Sequence, residues 1–290
     1  MTMKQRIQMS IVLSLLLAVS IAINADVVDK DWEKRTTEKL AETVKATEIL
    51  WLDSKDDKFL ALYTTQTSET AHGAAIILHG MGAHADWPQT IAPLRAQLPE
   101  HGWTTLSIQL PVVAPENQIE DYGQTLQPAA ARIEAAVRFL RERKFLNIVI
   151  IGHSFGAATA LAYLEREQRQ KVVALVAIGL QGYGFVKPAI NILDLIEKSK
   201  VPLLDIYGSR DFRNVIRRAP DRRLAAKKGN NRLYTQIEIA GADHYFNKMD
   251  DVLIKRIRGW LDKAAPGMSI LVNEDFDGND EKDENQPEAQ

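Results

Sequence analysis

VIIGHSFGAATAL, residues 149–161, passes from an apolar run into a segment of small residues, with a single serine, Ser154, at the corner. Four apolar or glycine positions before His153 read as a strand covered on both faces, and the alanines after Phe155 read as a helix. A strand-to-helix turn this sharp lifts the serine oxygen over the end of the sheet. It also brings the residues two before and two after so close that both must be glycine, as Gly152 and Gly156 are. Ala157, Ala158, Ala160 and Ala162 let the helix pack tightly beneath the turn. Gly-X-Ser-X-Gly alone is a common accident; the strand before it and the helix after it make Ser154 a candidate nucleophile.

The surrounding chain repeats this alternation. Apolar runs at 59–65, 74–80, 104–110, 147–152, 172–179, 201–208 and 233–240 are separated by helix-length segments. Several runs are continuously apolar, and the alternation predicts an α/β fold with a mostly parallel central sheet and helices on both faces. Helices are expected over 127–144, 155–168 and 249–263, and another from Asp86, as its cap, to near Gly102. Residues 30–46 read as an extra amphipathic helix before the first strand.

A serine hydroxyl needs a base to take its proton and a carboxylate to orient that base. Downstream of Ser154 there is one histidine, His244, in GADHYF just after the last strand. Asp211, in GSRD after the strand VPLLDIYG, stands between them in chain order. Asp205 inside that strand, Asp243 beside the histidine and Asp194 are the competing carboxylates. Backbone amides that could receive an oxyanion are those of Met81, in His79-Gly80-Met81-Gly82, and Phe155, directly after the serine.

Taken together, HGMG, GHSFG, GSRD and GADH in this order resemble the α/β-hydrolase fold superfamily over about residues 56–264, with similarity to an uncharacterised branch of exported bacterial members. The resemblance implies Ser154 as nucleophile, His244 as base, Asp211 as its orienting acid, and Met81 and Phe155 as oxyanion donors. The implied activity is hydrolysis of a carboxylic ester through an acyl-enzyme. A thioesterase or peptidase would use the same residues, and a catalytically silent scaffold binding an envelope ligand is the alternative of another class. Only residues 180–200 separate the strand after the elbow helix from the strand before the acid, so no large cap domain is expected. Tyr183, Phe185, Trp87 and Phe246 are candidates to line the open site.

The ends of the chain differ from its body. Lys4 and Arg6 precede an apolar run, Ile11 to Ile23, short for a membrane span, so residues 1–25 read as a signal peptide and the protein as periplasmic or secreted. An uncleaved anchor is the competing interpretation. No membrane span is expected in the mature protein. Residues 26–55 read as an N-terminal amphipathic helical segment, 56–265 as the hydrolase domain, and 266–290 as an acidic disordered tail. The tail from 274 carries eight acids and one lysine, whereas residues 26–273 carry 33 basic and 30 acidic side chains. A body this weakly basic argues against nucleic acid as a partner. Nine basic residues crowd 210–232, however; the run reads as a solvated helix face or, alternatively, as a patch that steers an anionic small-molecule or envelope-linked acyl substrate or docks the tail. With no cysteine, and histidines not spaced as ligands, neither metal nor other cofactor is expected.

Overall fold

A computed structural model describes residues 27–44, 47–55, 57–166 and 171–267; the leader expected over 1–25 and, beyond its first two residues, the acidic tail expected over 266–290 lie outside them. The chain opens with helix α1 (Lys30–Thr43), capped by the Asp29 carboxylate, which accepts from Trp32 N at 2.7 Å. Strands β1 (Glu48–Asp53) and β2 (Lys58–Thr64) follow, then β3 (Gly73–Leu78), helix α2 (Ile91–Gln97), β4 (Trp103–Ile108) and helix α3 (Leu126–Glu142). The second half runs β5 (Ile148–His153), α4 (Phe155–Arg166), β6 (Ala174–Ile178), α5 (Ile192–Lys198), β7 (Leu203–Arg210), α6 (Arg213–Arg217), α7 (Ala219–Lys228), β8 (Tyr234–Asp243) and α8 (Asp250–Ala264).

The eight strands form one sheet in the order β1-β2-β4-β3-β5-β6-β7-β8. Strands β4, β3, β5, β6, β7 and β8 run parallel, while β2 is antiparallel to both β1 and β4. Because successive side chains point to opposite faces, each central strand feeds two cores. Ile76, Leu78, Ile148 and Ile150 pack beneath α3 and α4, and Ile77, Val149, Ile151 and Val176 pack beneath α2 and α8. This is the α/β-hydrolase fold. Between β6 and β7 lies a loop with the single short helix α5, so no large cap covers the sheet.

Two expectations need correction. The segment 26–55 is not helical throughout: β1 pairs along β2 from Glu48↔Tyr63 to Asp53↔Lys58, so the sheet begins at Glu48 rather than near residue 56. Asp86 does not cap α2. Its carboxylate accepts from Arg95 Nε at 2.8 Å, and the N-cap position belongs to Thr90, whose hydroxyl donates to Tyr245 O at 2.8 Å.

The first described residues pair with the loop after β4, through the bridge Val28↔Val113, at the carboxyl ends of the parallel strands. The last, around Gly267, lie against His72 and Asn147 at the opposite ends of β3 and β5. Among the described residues no helix is long and apolar enough to cross a membrane.

Candidate active site

β5 delivers His153 and then turns sharply. Ser154 has φ 55°, in the left-handed region that a non-glycine residue occupies only under constraint, and its amide donates to Ile178 O at 2.8 Å. Both flanking glycines are dictated by contact. A Cβ on Gly152 would lie 2.6 Å from the Ala157 backbone, and one on Gly156 would lie 2.5 Å from the carbonyls of Leu78 and His79. Helix α4 therefore sits directly against the end of β3. The Phe155 amide, in the first turn of α4, has no acceptor within the helix.

Asp211 follows β7 and His244 follows β8, and these neighbouring strands bring the two together. His244 Nδ1 donates to Asp211 Oδ1 at 2.6 Å, and both side chains are almost wholly buried. The Phe212 amide donates to the same oxygen at 2.6 Å. A carboxylate at Nδ1 fixes the proton there and leaves Nε2 as the basic nitrogen. Phe212 stacks on the imidazole at 4.0 Å between centroids, and His153 Nε2 donates to the His244 carbonyl at 2.9 Å. Burial pushes His153 down to about 4, so it is a neutral donor.

The competing carboxylates are occupied elsewhere. Asp205, fully buried, accepts from Arg222 Nε at 2.7 Å, Tyr234 Oη at 2.6 Å and Gln236 Nε2 at 2.8 Å. Asp243 accepts from the amides of Tyr245 and Asn247, and Asp194 pairs with Lys198 at 2.9 Å on the surface.

The loop after β3 passes close to the serine: a Cβ on Gly80 would lie 3.3 Å from Ser154 Cβ. Tyr122 Oη accepts from the Gly82 amide at 2.8 Å, which holds the loop from outside. The serine hydroxyl itself bonds Tyr183 Oη at 3.1 Å, and among the described residues it makes no hydrogen bond to His244. Tyr183 is fully buried, and burial pushes its phenol up, so it remains protonated. It lies edge-on to Phe155, which lies edge-on to Tyr122. A cavity of about 260 Å³ beside it is lined by Gln181, Tyr183, Ile190, Asn191, Leu193 and Arg218.

Of the four aromatics proposed to line the site, Tyr183 reaches the serine. Phe246 belongs instead to the core beneath α8. The contact of Tyr183 had a faint signal in the sequence, its place between two glycines; the stacking of Phe212 had none beyond adjacency to Asp211. Among the described residues no three His, Asp or Glu side chains converge as metal ligands.

A family model matches residues 23–121 and 114–263, most of the chain. The chain belongs to that family, Protein of unknown function (DUF3530). No curated protein matches the sequence. Among solved structures, this DUF3530 chain is similar to the Pyrococcus furiosus esterase Pf2001, with 18% identity over 76% of this chain and 91% of that one, at a TM-score of 0.60. It is similar also to Est1E from Butyrivibrio proteoclasticus with ferulic acid bound (17% identity, 74% and 98% covered, TM-score 0.61). A third is a dienelactone hydrolase from Anabaena variabilis (18% identity, 74% and 96% covered, TM-score 0.55). At these identities the likeness concerns the fold, which this DUF3530 member shares over nearly the full length of each.

Proposed function

We propose that this DUF3530 protein is a serine hydrolase acting on carboxylic esters. The observation that carries the proposal is the constrained Ser154 at the end of β5, with the His244–Asp211 pair, 2.6 Å apart, at the ends of β8 and β7. In the reaction proposed, Ser154 Oγ leaves Tyr183, gives its proton to His244 Nε2 and attacks the carbonyl carbon. The carbonyl oxygen takes up the displaced electron pair and receives hydrogen bonds from the Met81 and Phe155 amides. His244 then protonates the departing alkoxide, leaving an acyl-enzyme. Water attacks that ester with His244 again as base, releasing the acid and restoring Ser154. Asp211 stays ionised throughout and stabilises the imidazolium. One of the similar folds belongs to a protein named an esterase and another to one named a dienelactone hydrolase, which supports the choice of ester over amide.

With only a loop and one short helix between β6 and β7, the site is open and suits short acyl esters. Arg213, Arg217 and Arg218, exposed on and after α6, favour a negatively charged substrate, although Arg222 from the same basic run is spent on Asp205. We propose that the protein is periplasmic or secreted, as the signal-peptide reading of residues 1–25 implies; a mature N-terminus at Met1 in a cytoplasmic fraction would overturn this.

The deciding experiment is labelling with a fluorophosphonate, followed by a panel of p-nitrophenyl esters of increasing acyl length. The folded protein should label, prefer short acyl chains and lose activity with added salt on anionic esters. Ser154→Ala should not label, and Ser154→Ala and His244→Ala should each lower kcat by about 10⁴- to 10⁶-fold. A folded chain that does not label favours the silent scaffold.

A further inference from the structure

α1 precedes the sheet, yet a continuous buried chain of hydrogen bonds leads from it to the loop beside Ser154. Glu33 on α1 meets the Arg132 guanidinium of α3 with both oxygens, at 3.2 and 2.9 Å. Arg132 Nη1 also donates to Gln109 O at 2.9 Å, and Nη2 to Asp57 at 2.6 Å. The Gln109 side chain in turn spans the loop after β3. Its Nε2 donates to His79 Nε2 at 3.0 Å and its Oε1 accepts from Ala85 N at 3.2 Å. Arg132, Gln109 and His79 are each at most 1% exposed.

The protonation of His79 follows from its partners. Nε2 accepts from the Leu110 amide at 2.9 Å as well as from Gln109, so the ring proton is on Nδ1 and is donated to Gly80 O at 2.8 Å. Burial pushes His79 down to about 3, which keeps that neutral tautomer. Ala83 N donates to the same carbonyl at 3.3 Å. In a trans peptide the C=O and the following N–H lie in one plane and point in opposite directions. Anchoring Gly80 O on His79 therefore sets the direction of the Met81 N–H.

We infer that α1 is a working part of the active site: through Glu33, Arg132, Gln109 and His79 it fixes the Gly80–Met81 peptide so that the Met81 amide is aimed at the developing oxyanion. This rests on the proposal that Met81 is an oxyanion donor. Glu33, Arg132, Gln109 and His79 are positioning residues, since none touches the reacting atoms. A donor fixed in advance loses no free energy to reorganisation when charge develops, and one misplaced donor costs about 10²- to 10³-fold in kcat.

The test uses the two side chains that imitate one histidine nitrogen each. In His79→Asn the amide nitrogen stands near the position of Nδ1 and still donates to Gly80 O. In His79→Gln the amide reaches the position of Nε2 and leaves Gly80 O without that donor. On p-nitrophenyl acetate, His79→Asn should keep kcat within about tenfold of wild type and His79→Gln should lose about 10²-fold, both with KM within threefold. Glu33→Gln should lower kcat by about three- to tenfold, and adding it to His79→Gln should cost nothing further, because both act through one chain.

Equal losses for Asn and Gln, losses confined to KM, or fully multiplicative losses in the double variant would overturn the inference while leaving the hydrolase intact. A folded wild-type protein that neither labels with fluorophosphonate nor turns over the ester defeats the hydrolase proposal itself, and this inference with it.

Discussion

His244 is held at four points. Asp211 takes Nδ1, Phe212 covers one ring face, His153 holds its carbonyl, and Gly179 approaches the ring edge. A Cβ on Gly179, which has φ 61°, would lie 2.9 Å from Cε1 and 3.0 Å from Nδ1. Gly179→Ala should therefore displace the imidazole and reduce kcat by about 10²-fold with a smaller change in KM; wild-type kcat in this variant would show that the ring is not constrained there. His79 and His153 give a second expectation. Both are buried, with pKa values pushed down to about 3 and about 4, whereas in the unfolded chain they titrate near the ordinary value of about 6.5. Below that pH the unfolded state binds more protons than the folded one, so stability is complete above about 6.5 and falls as pH drops towards the folded values. Each ring contributes a slope of up to about 1.4 kcal/mol per pH unit in this window. Urea midpoints should stay level from pH 7.5 to about 6.5, the ordinary histidine value, and then decline down to pH 4.5; a profile flat throughout would count against buried, neutral rings. At this scale the sequence was informative where a residue type is demanded by chemistry or by contact, as at Ser154, Gly152 and Gly156. It was uninformative where the partner lies far along the chain: nothing local to Asp205 announces Arg222, and nothing local to Arg132 announces Glu33.

Elements buried on both faces declared themselves, because continuous apolar runs such as IVII at 148–151 have no other stable place. β1 did not. Of its six residues only Leu52 is buried, and Trp51 is half exposed at the sheet's outer margin, so EILWLD carries no clean period of two, and its four-residue run ILWL does not by itself separate a strand from the helical segment before it. The start of α2 misled for a different reason. Asp86 is a good cap by residue type, but the buried Arg95 claims its carboxylate, and tertiary pairing overrides the local preference. α8 was legible from its spacing of Ile254, Ile257 and Leu261, all packed on the sheet face opposite α4. Ile257→Ala should destabilise the fold by about 2–5 kcal/mol through lost burial and a cavity. Its kcat at a temperature well below the melting point should stay near wild type. A large fall in kcat without loss of stability would mean that α8 acts on the site directly.

Across the whole molecule, parallel strands place the ends of β3, β5, β7 and β8 at one rim of the sheet, so residues some ninety positions apart in sequence meet there. That convergence was legible because the order of motifs along the chain fixes which strand carries each residue. The support reaching that rim from α1 was not, since a lone glutamate on an amphipathic helix looks like any solvated charge.

The two ends of the described chain leave from opposite sides of the sheet: Val28 beside the rim that carries Ser154, Gly267 at the far rim. The molecule therefore has a front and a back as an object to be attached to something. A tether or bulky fusion entering ahead of Val28 would stand on the rim that carries Ser154 and turn that rim towards whatever holds it, whereas one added after Gly267 would leave that rim facing outward. Immobilised by its N-terminal side, the protein should lose turnover of large esters much more than of small ones; immobilised by its C-terminal side, it should lose neither.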